Sequence, residues 1–130
     1  MDDTQFQYAD ERFADLQMLR YRLNGFETLS LQQKKYIYFL AKATLTGRDI
    51  TTDQQGVYNL TIRKVLEAVY DHYEHDRQDP NFQAVTVYLK RVWFSSGIYH
   101  HYGCEKFVPG FSEGWFRQTV TNLQTHIPLC

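Results

Sequence analysis

Two apolar stripes at helical spacing, set either side of a polar connector, constrain this chain more than any other feature. Ile62, Val65, Leu66, Val69, Tyr70 and Tyr73 fall on the three–four spacing of one helix face, and Phe82, Val85, Leu89, Val92, Trp93 and Ser96 do the same. Between them His75-Asp76-Arg77-Gln78-Asp79 is polar throughout. Asp79-Pro80 then sets an N-cap residue ahead of a proline at the first helical position. The first stripe predicts a helix from about Tyr58 to Glu74. The second predicts one that persists close to Tyr102, where Gly103 ends it.

Three further helices complete the reading. Phe13, Leu16, Leu19 and Leu23 recur at helical spacing between Asp10 and Leu23, with Asn24-Gly25 as the stop. Ser30 and Gln33 have the separation of a capping box, followed by Tyr36, Ile37, Leu40, Ala41, Ala43 and Thr44 and closed by Gly47. Ser112 caps a last helix carrying Phe116, Val120 and Leu123, limited by Pro128. Arg48 to Gly56 reads as polar turn material around Thr51-Thr52-Asp53. The only strand-like alternation, Val85 to Tyr88, lies inside a longer helical stripe. The expected fold is all-α: a bundle of about five helices with short loops, one helical domain over 1–130, with 1–9 and 121–130 poorly defined.

Charge and aromaticity narrow the function classes. Aromatic residues are 16% of the chain, which favours a packed core over disorder. Net charge is −1 with scattered basic residues, so no footprint for nucleic acid or an anionic membrane surface is visible. No apolar run reaches bilayer length. Met1-Asp2-Asp3-Thr4 does not read as a signal peptide. A cytoplasmic location is favoured, and the bacterial periplasm is the alternative for a chain already processed. Cys104 and Cys130 read as reduced thiols rather than a disulfide framework.

Candidate chemistry is sparse. His72 and His75, three apart on the expected third helix, share a face with Glu74 nearby; the plain reading is a solvated helix end rather than a metal site. Tyr99, His100, His101 and Tyr102 are candidate ligand-binding residues at a helix end. The competing reading is half-buried packing with wet polar tips. Adjacent His100 and His101 on a helix point about 100° apart. Cys104 lacks any marker of a nucleophile's base or oxyanion donors. Gly103 permits a sharp exit from the helix. Phe107 and Val108 are expected to return to the core, Pro109 stiffens the departure, and Lys106 is placed to satisfy helix-end carbonyls. On the expected third helix, Arg63, Lys64, Glu67 and Asp71 form the polar face opposite the stripe.

Three blocks in order carry a family resemblance. Leu29-Ser30 runs into Tyr36, Tyr38 and Leu40. Ala43-Thr44-Leu45-Thr46-Gly47-Arg48-Asp49-Ile50 follows an A-x-x-x-G-R-D-I pattern. Gly97, Tyr99, Gly103, Lys106, Phe107, Val108 and Pro109 match G-N-Y-x-x-F-G-D-x-K-F-V-P. These blocks, spanning about Phe13 to Phe116, resemble the N-terminal segment of the dipeptidyl peptidase III family. His100-His101-Tyr102 is similar to the family's bacterial branch. Ile98 and Cys104 depart from the pattern, standing where many relatives have Asn and Asp.

The resemblance implies a parent enzyme of two lobes around a cleft, a zinc metallopeptidase that removes dipeptides from peptide N-termini. Its zinc would be held by H-E-x-x-G-H and a downstream glutamate, on another part of the polypeptide. That signature occurs nowhere in these 130 residues. Gly97, Gly103, Lys106, Phe107 and Pro109 are then structural loop residues, and no catalytic or metal-binding residue is expected in this chain. The implied partners are the remainder of the parent polypeptide and, for the full enzyme, peptides. The alternative reading is a stand-alone helical interaction module without catalysis.

Overall fold

The computed structural model describes residues 6–124, and the chain divides into two units, Met1–Gly47 and Arg48–Cys130. The expectations attached to Pro128 and Cys130 lie outside the described residues.

In the first unit, the segment expected as the first helix is a β-hairpin. Strands β1 (Ala9–Phe13) and β2 (Leu16–Leu19) pair antiparallel, with Phe13 opposite Leu16 and Arg12 opposite Gln17. Ala14 takes a left-handed backbone at φ 50° in the turn. The Gln17 amide donates to the carbonyls of Asp10 and Glu11, tying the strands together from the side. Only Phe13 of this hairpin is buried. The helical spacing of Phe13, Leu16 and Leu19 therefore had no core face to serve.

Gly25 is left-handed at φ 85°, as a chain stop requires, and leads into a 3-10 turn at Phe26–Thr28. Helix α1 (Leu31–Thr46) starts on the expected capping box. Ser30 Oγ accepts from the Gln33 N–H, and the Gln33 side chain accepts from the Ser30 N–H at 2.9 Å. Gly47 is its C-cap. Leu31, Tyr36, Tyr38, Phe39, Leu40 and Leu45 are all exposed, and α1 buries none of its residues.

Among its described residues the second unit has four helices. The turn material expected at Arg48–Gly56 is instead helix α2 (Arg48–Gln54), because Thr52 is buried there and bonded on both sides. Helix α3 (Asn59–His72) presents Leu66 and Val69 to the core, and Tyr73 is buried as its C-cap. Helix α4 (Pro80–Ser95) supplies Phe82, Val85, Tyr88, Leu89 and Val92. Helix α5 (Glu113–Asn122) begins on Ser112, whose Oγ accepts from the Trp115 N–H. Phe111, Trp115, Phe116, Val120 and Leu123 pack against the α3–α4 core. Tyr73 stacks on Phe82 at 4.6 Å and meets Trp115 at 5.5 Å. The chain is thus mostly helical, with one two-stranded hairpin among the described residues.

The start of α4 is fixed as the sequence predicts. The Asp79 carboxylate accepts from the N–H groups of Asn81 at 2.7 Å and Phe82 at 3.3 Å, with Pro80 first in the helix. Replacing Asp79 by Ala removes the acceptor for both helix-end donors. Urea unfolding is expected to show a loss of about 1 kcal/mol; an unchanged midpoint would mean that the cap contributes nothing.

Candidate functional site

Helix α4 ends at Ser95, well short of Tyr102. Ser96 adopts a left-handed backbone at φ 55°, and Gly97 donates back to the Val92 carbonyl at 3.0 Å. The stop has a tertiary cause. The Asn59 side chain, 2% exposed, lies against Gly97 so closely that a Cβ there would sit 2.3 Å from Nδ2. Asn59 Oδ1 accepts from the Ile98 N–H at 3.3 Å, which turns the chain away from the helix axis.

Beyond Gly97 the chain forms a small antiparallel loop. Phe107 N–H donates to Ile98 O at 2.8 Å, Tyr99 bridges Lys106, and His100 N–H donates to Glu105 O at 2.8 Å. Gly103 N–H closes the tip on His100 O at 3.1 Å. Both ends are anchored, since Ile98 and Phe107 are core residues and the Arg91 guanidinium lies 4.7 Å from the Phe107 ring centre. Ile98 fills the core, and backbone bonds hold the loop on either side of Cys104. Val108 is 82% exposed, contrary to its expected return to the core, because the bridge sends Phe107 inward and its neighbour outward. Lys106 lies in the bridge opposite Tyr99.

Tyr99, His100, His101 and Tyr102 therefore occupy a turn rather than a helix end. The expected divergence of the two imidazoles does not occur. Their ring centres are 4.5 Å apart with a 31° tilt, and His101 lies 4.2 Å from the Tyr102 ring. His100 Nδ1 accepts from the Tyr102 N–H at 3.2 Å, which leaves a neutral ring's proton on Nε2. Tyr99, His100 and His101 line a cavity of about 390 Å³ together with Gln55, Ser95, Gly103 and Cys104; Tyr102 is outside the lining at 89% exposed. Cys104 is a free, exposed thiol. Ser95 is buried, and its Oγ has no hydrogen-bond partner among the described residues.

Gln55 and Ser95 carry no site signal that the sequence made obvious. For Ser95 the available clue was its place one turn after Val92 on the buried face of α4. Arg63, expected on a solvated face, is instead 2% exposed. Its Nη1 donates to Thr52 Oγ1 at 2.7 Å, its Nη2 to Asp49 Oδ1, and its Nε lies 3.5 Å from Glu67 Oε1. Glu67 Oε1 also accepts from Trp93 Nε1 at 2.7 Å. This network joins α2, α3 and α4 around Arg48 and Asp49. The Arg63 hydrogen bond holds the Asp49 carboxyl below its ordinary range.

His72 is the last residue of α3, and His75 falls beyond the helix end, so the shared helical face does not exist. Both line a small cavity of about 180 Å³ with Tyr73, Glu74 and residues of α5. Burial, helped by the Asp79 charge, pushes the Tyr73 phenol up and keeps it neutral. Among the described residues no group of three or more His, Cys, Asp or Glu side chains is arranged to hold a metal ion. No helix among them is long and apolar enough to cross a membrane. No protein-family model and no curated protein matches this chain.

Proposed function

We propose that this chain is an N-terminal helical piece of a dipeptidyl peptidase III-like zinc enzyme and that, by itself, it does not hydrolyse peptides. The observation that carries the reading is the behaviour of the Gly97–Pro109 block. Its matched positions do physical work in the loop: Gly97 admits Asn59, Gly103 closes the tip, and Phe107 anchors the return strand. A block with that division of labour suits a wall that positions a rigid turn beside a cleft. The finer expectation of one helical lobe belongs to this proposal, with α2–α5 as part of that lobe.

Helix α1 gives separate support. It carries apolar side chains on every side and buries none of them. Exposed apolar side chains in such number normally mark a surface that further protein covers. Under this reading the cover comes from the rest of the parent polypeptide.

The described residues offer no donor set that fits a resident zinc. The H-E-x-x-G-H donors are missing from the sequence, and the described residues form no three-donor cluster. No catalytic step is therefore assigned to them. A water-activating metal centre needs such donors together with a base in reach. The purified 130-residue chain with added zinc is expected to release no dipeptide from a dipeptidyl arylamide; clear turnover would overturn the inactive reading. The same exposed α1 also favours the stand-alone interaction module. Size-exclusion chromatography separates the two: an uncovered piece self-associates with rising concentration, whereas an adapted module stays a defined species.

A further inference from the structure

We propose that Asn24-Gly25 is a modification site, at which the asparagine amide is lost spontaneously and aspartate or isoaspartate takes its place. The inference goes beyond the peptidase reading and does not rest on it, because both residues lie in a turn of the Met1–Gly47 unit. The pair links the β1–β2 hairpin to the 3-10 turn at Phe26–Thr28. Phe26 N–H donates to Leu23 O at 3.1 Å, which closes a β-turn with Asn24 and Gly25 at its centre. Gly25, at φ 85° and ψ −2°, takes the left-handed position that a type II turn reserves for glycine.

Sequence, exposure and hydrogen bonding each set this asparagine apart. Of the asparagines in the chain, Asn24 alone precedes a glycine, so no side chain shields the nitrogen that would attack its amide. Both residues are exposed, and nothing lies within 4 Å of where a Cβ on Gly25 would sit. They line an open hollow of about 710 Å³ with Phe6, Arg22 and Glu27, so water and base reach them. Neither the Asn24 side chain nor the Gly25 N–H makes a hydrogen bond to a described residue, and the two reacting groups can turn toward each other. The other asparagines are held. Asn59 is 2% exposed with its Oδ1 on the Ile98 N–H, Asn81 Oδ1 accepts from the Ser112 N–H at 2.9 Å, and Asn122 Oδ1 accepts from Gln118 Nε2 at 3.2 Å.

The Gly25 nitrogen gives its proton to a base and bonds to Asn24 Cγ. The Cγ–Nδ2 bond breaks, and Nδ2 takes the proton back from the base and leaves as ammonia. Water then opens the cyclic imide. Breaking the new bond between nitrogen and Cγ yields aspartate. Breaking the original bond between nitrogen and the Asn24 carbonyl carbon yields isoaspartate, whose main chain runs through Cβ and Cγ. The net change is water consumed and ammonia released, with nothing oxidised or reduced. Either product adds a negative charge to the hollow shared with Arg22 and Glu27. Isoaspartate also lengthens the backbone inside the Leu23–Phe26 turn, which loosens the junction between the hairpin and α1.

The test incubates the 130-residue chain at mildly acidic and at mildly alkaline pH, followed by isoelectric focusing and peptide mapping by mass. At alkaline pH a more acidic species is expected to accumulate, with its mass change confined to the peptide that holds Asn24. Part of that peptide should accept methyl groups from a protein isoaspartyl methyltransferase. Acidic incubation should slow the conversion, because the attacking nitrogen must first lose its proton. Unfolding in urea should speed conversion at Asn59, Asn81 and Asn122, which the fold holds, and leave Asn24 near its folded rate. Asn24→Gln, at an exposed position, should abolish the acidic species over the same period, because the longer side chain must close a less favourable ring. No conversion at Asn24, conversion spread evenly over the asparagines, an acidic species that persists in Asn24→Gln, or a folded rate at Asn24 far below the unfolded one would overturn the proposal.

Discussion

Gly97→Ala is expected to be among the most destabilising single-methyl additions in this chain. The new Cβ would lie 2.3 Å from Asn59 Nδ2 and 2.8 Å from its Cγ, inside any permitted contact. The amide has little room to retreat. It is 2% exposed, its Oδ1 accepts from Ile98, and a Cβ at Gly56 on another side would already lie 3.0 Å from Nδ2. Overpacking at such a site costs about 1–3 kcal/mol, a large share of the roughly 5–15 kcal/mol that holds a domain folded. Thermal and urea unfolding should therefore show a clear loss, with Gly56→Ala losing less. The cause is separable by a double-mutant cycle. Asn59→Ala on its own removes the Ile98 acceptor and destabilises; combined with Gly97→Ala it also removes the clash. The pair should cost less than the sum of the two single changes. Strict additivity would show that the amide is not what excludes a side chain at Gly97.

The same contact explains what was legible in the sequence and what was not. Local signals read correctly. Ser30, Asp79 and Ser112 each cap the helix that comes after them, because the bonds involved close within three residues. The middles of the α3 and α4 stripes read correctly too, since Leu66, Val69, Val85, Leu89 and Val92 repeat at the helical period and bury the same face, whereas Trp93 of the α4 stripe is exposed and Ser96 lies past the helix end. The failures have distant causes. The end of α4 depends on Asn59, 39 residues before Ile98. Helix α2 depends on Thr52 being enclosed by Arg63, a partner that its polar local sequence does not announce. The β1–β2 hairpin carried no turn marker, for Ala14 rather than glycine or asparagine takes the positive φ. Its strands alternate too weakly to betray themselves, with Phe13 alone buried and an irregular register between Ala9 and Arg12. Of the cavity, the polar rings from Tyr99 to Tyr102 were visible as a cluster. Ser95 and Gln55 were not, because they join that cluster only through the fold.

Arg63→Ala is expected to cost about 1–3 kcal/mol, the usual penalty for leaving a buried polar group without its hydrogen-bond partner. The guanidinium is 2% exposed and divides its donors among Thr52, Asp49 and the Arg48 carbonyl, with Glu67 within ion-pair distance. Its removal leaves Thr52 without a donor and Glu67 with the Trp93 N–H and the more distant Arg48. Arg63→Lys should rescue little, because an ammonium cannot reproduce a planar fork aimed at several acceptors. The network also sets an acid response. The Arg63 hydrogen bond, aided by its charge, holds the folded Asp49 carboxyl below its ordinary 3.8, while burial opposes this more weakly. A depressed folded value means that the unfolded chain binds this proton first as pH falls. The Asp49 contribution is therefore complete above the unfolded value and fades as pH drops through the folded one. Urea midpoints measured between about pH 7 and pH 3 should fall at the acid end for the parent chain. In Asp49→Asn that part of the slope should flatten, and in Arg63→Ala it should flatten as well, since the carboxyl then loses the donor that depresses it. If Asp49→Asn left the acid slope unchanged while Arg63→Ala remained costly, the arginine would be held by Thr52 and Glu67, and the Asp49 end of the network would contribute nothing to folding.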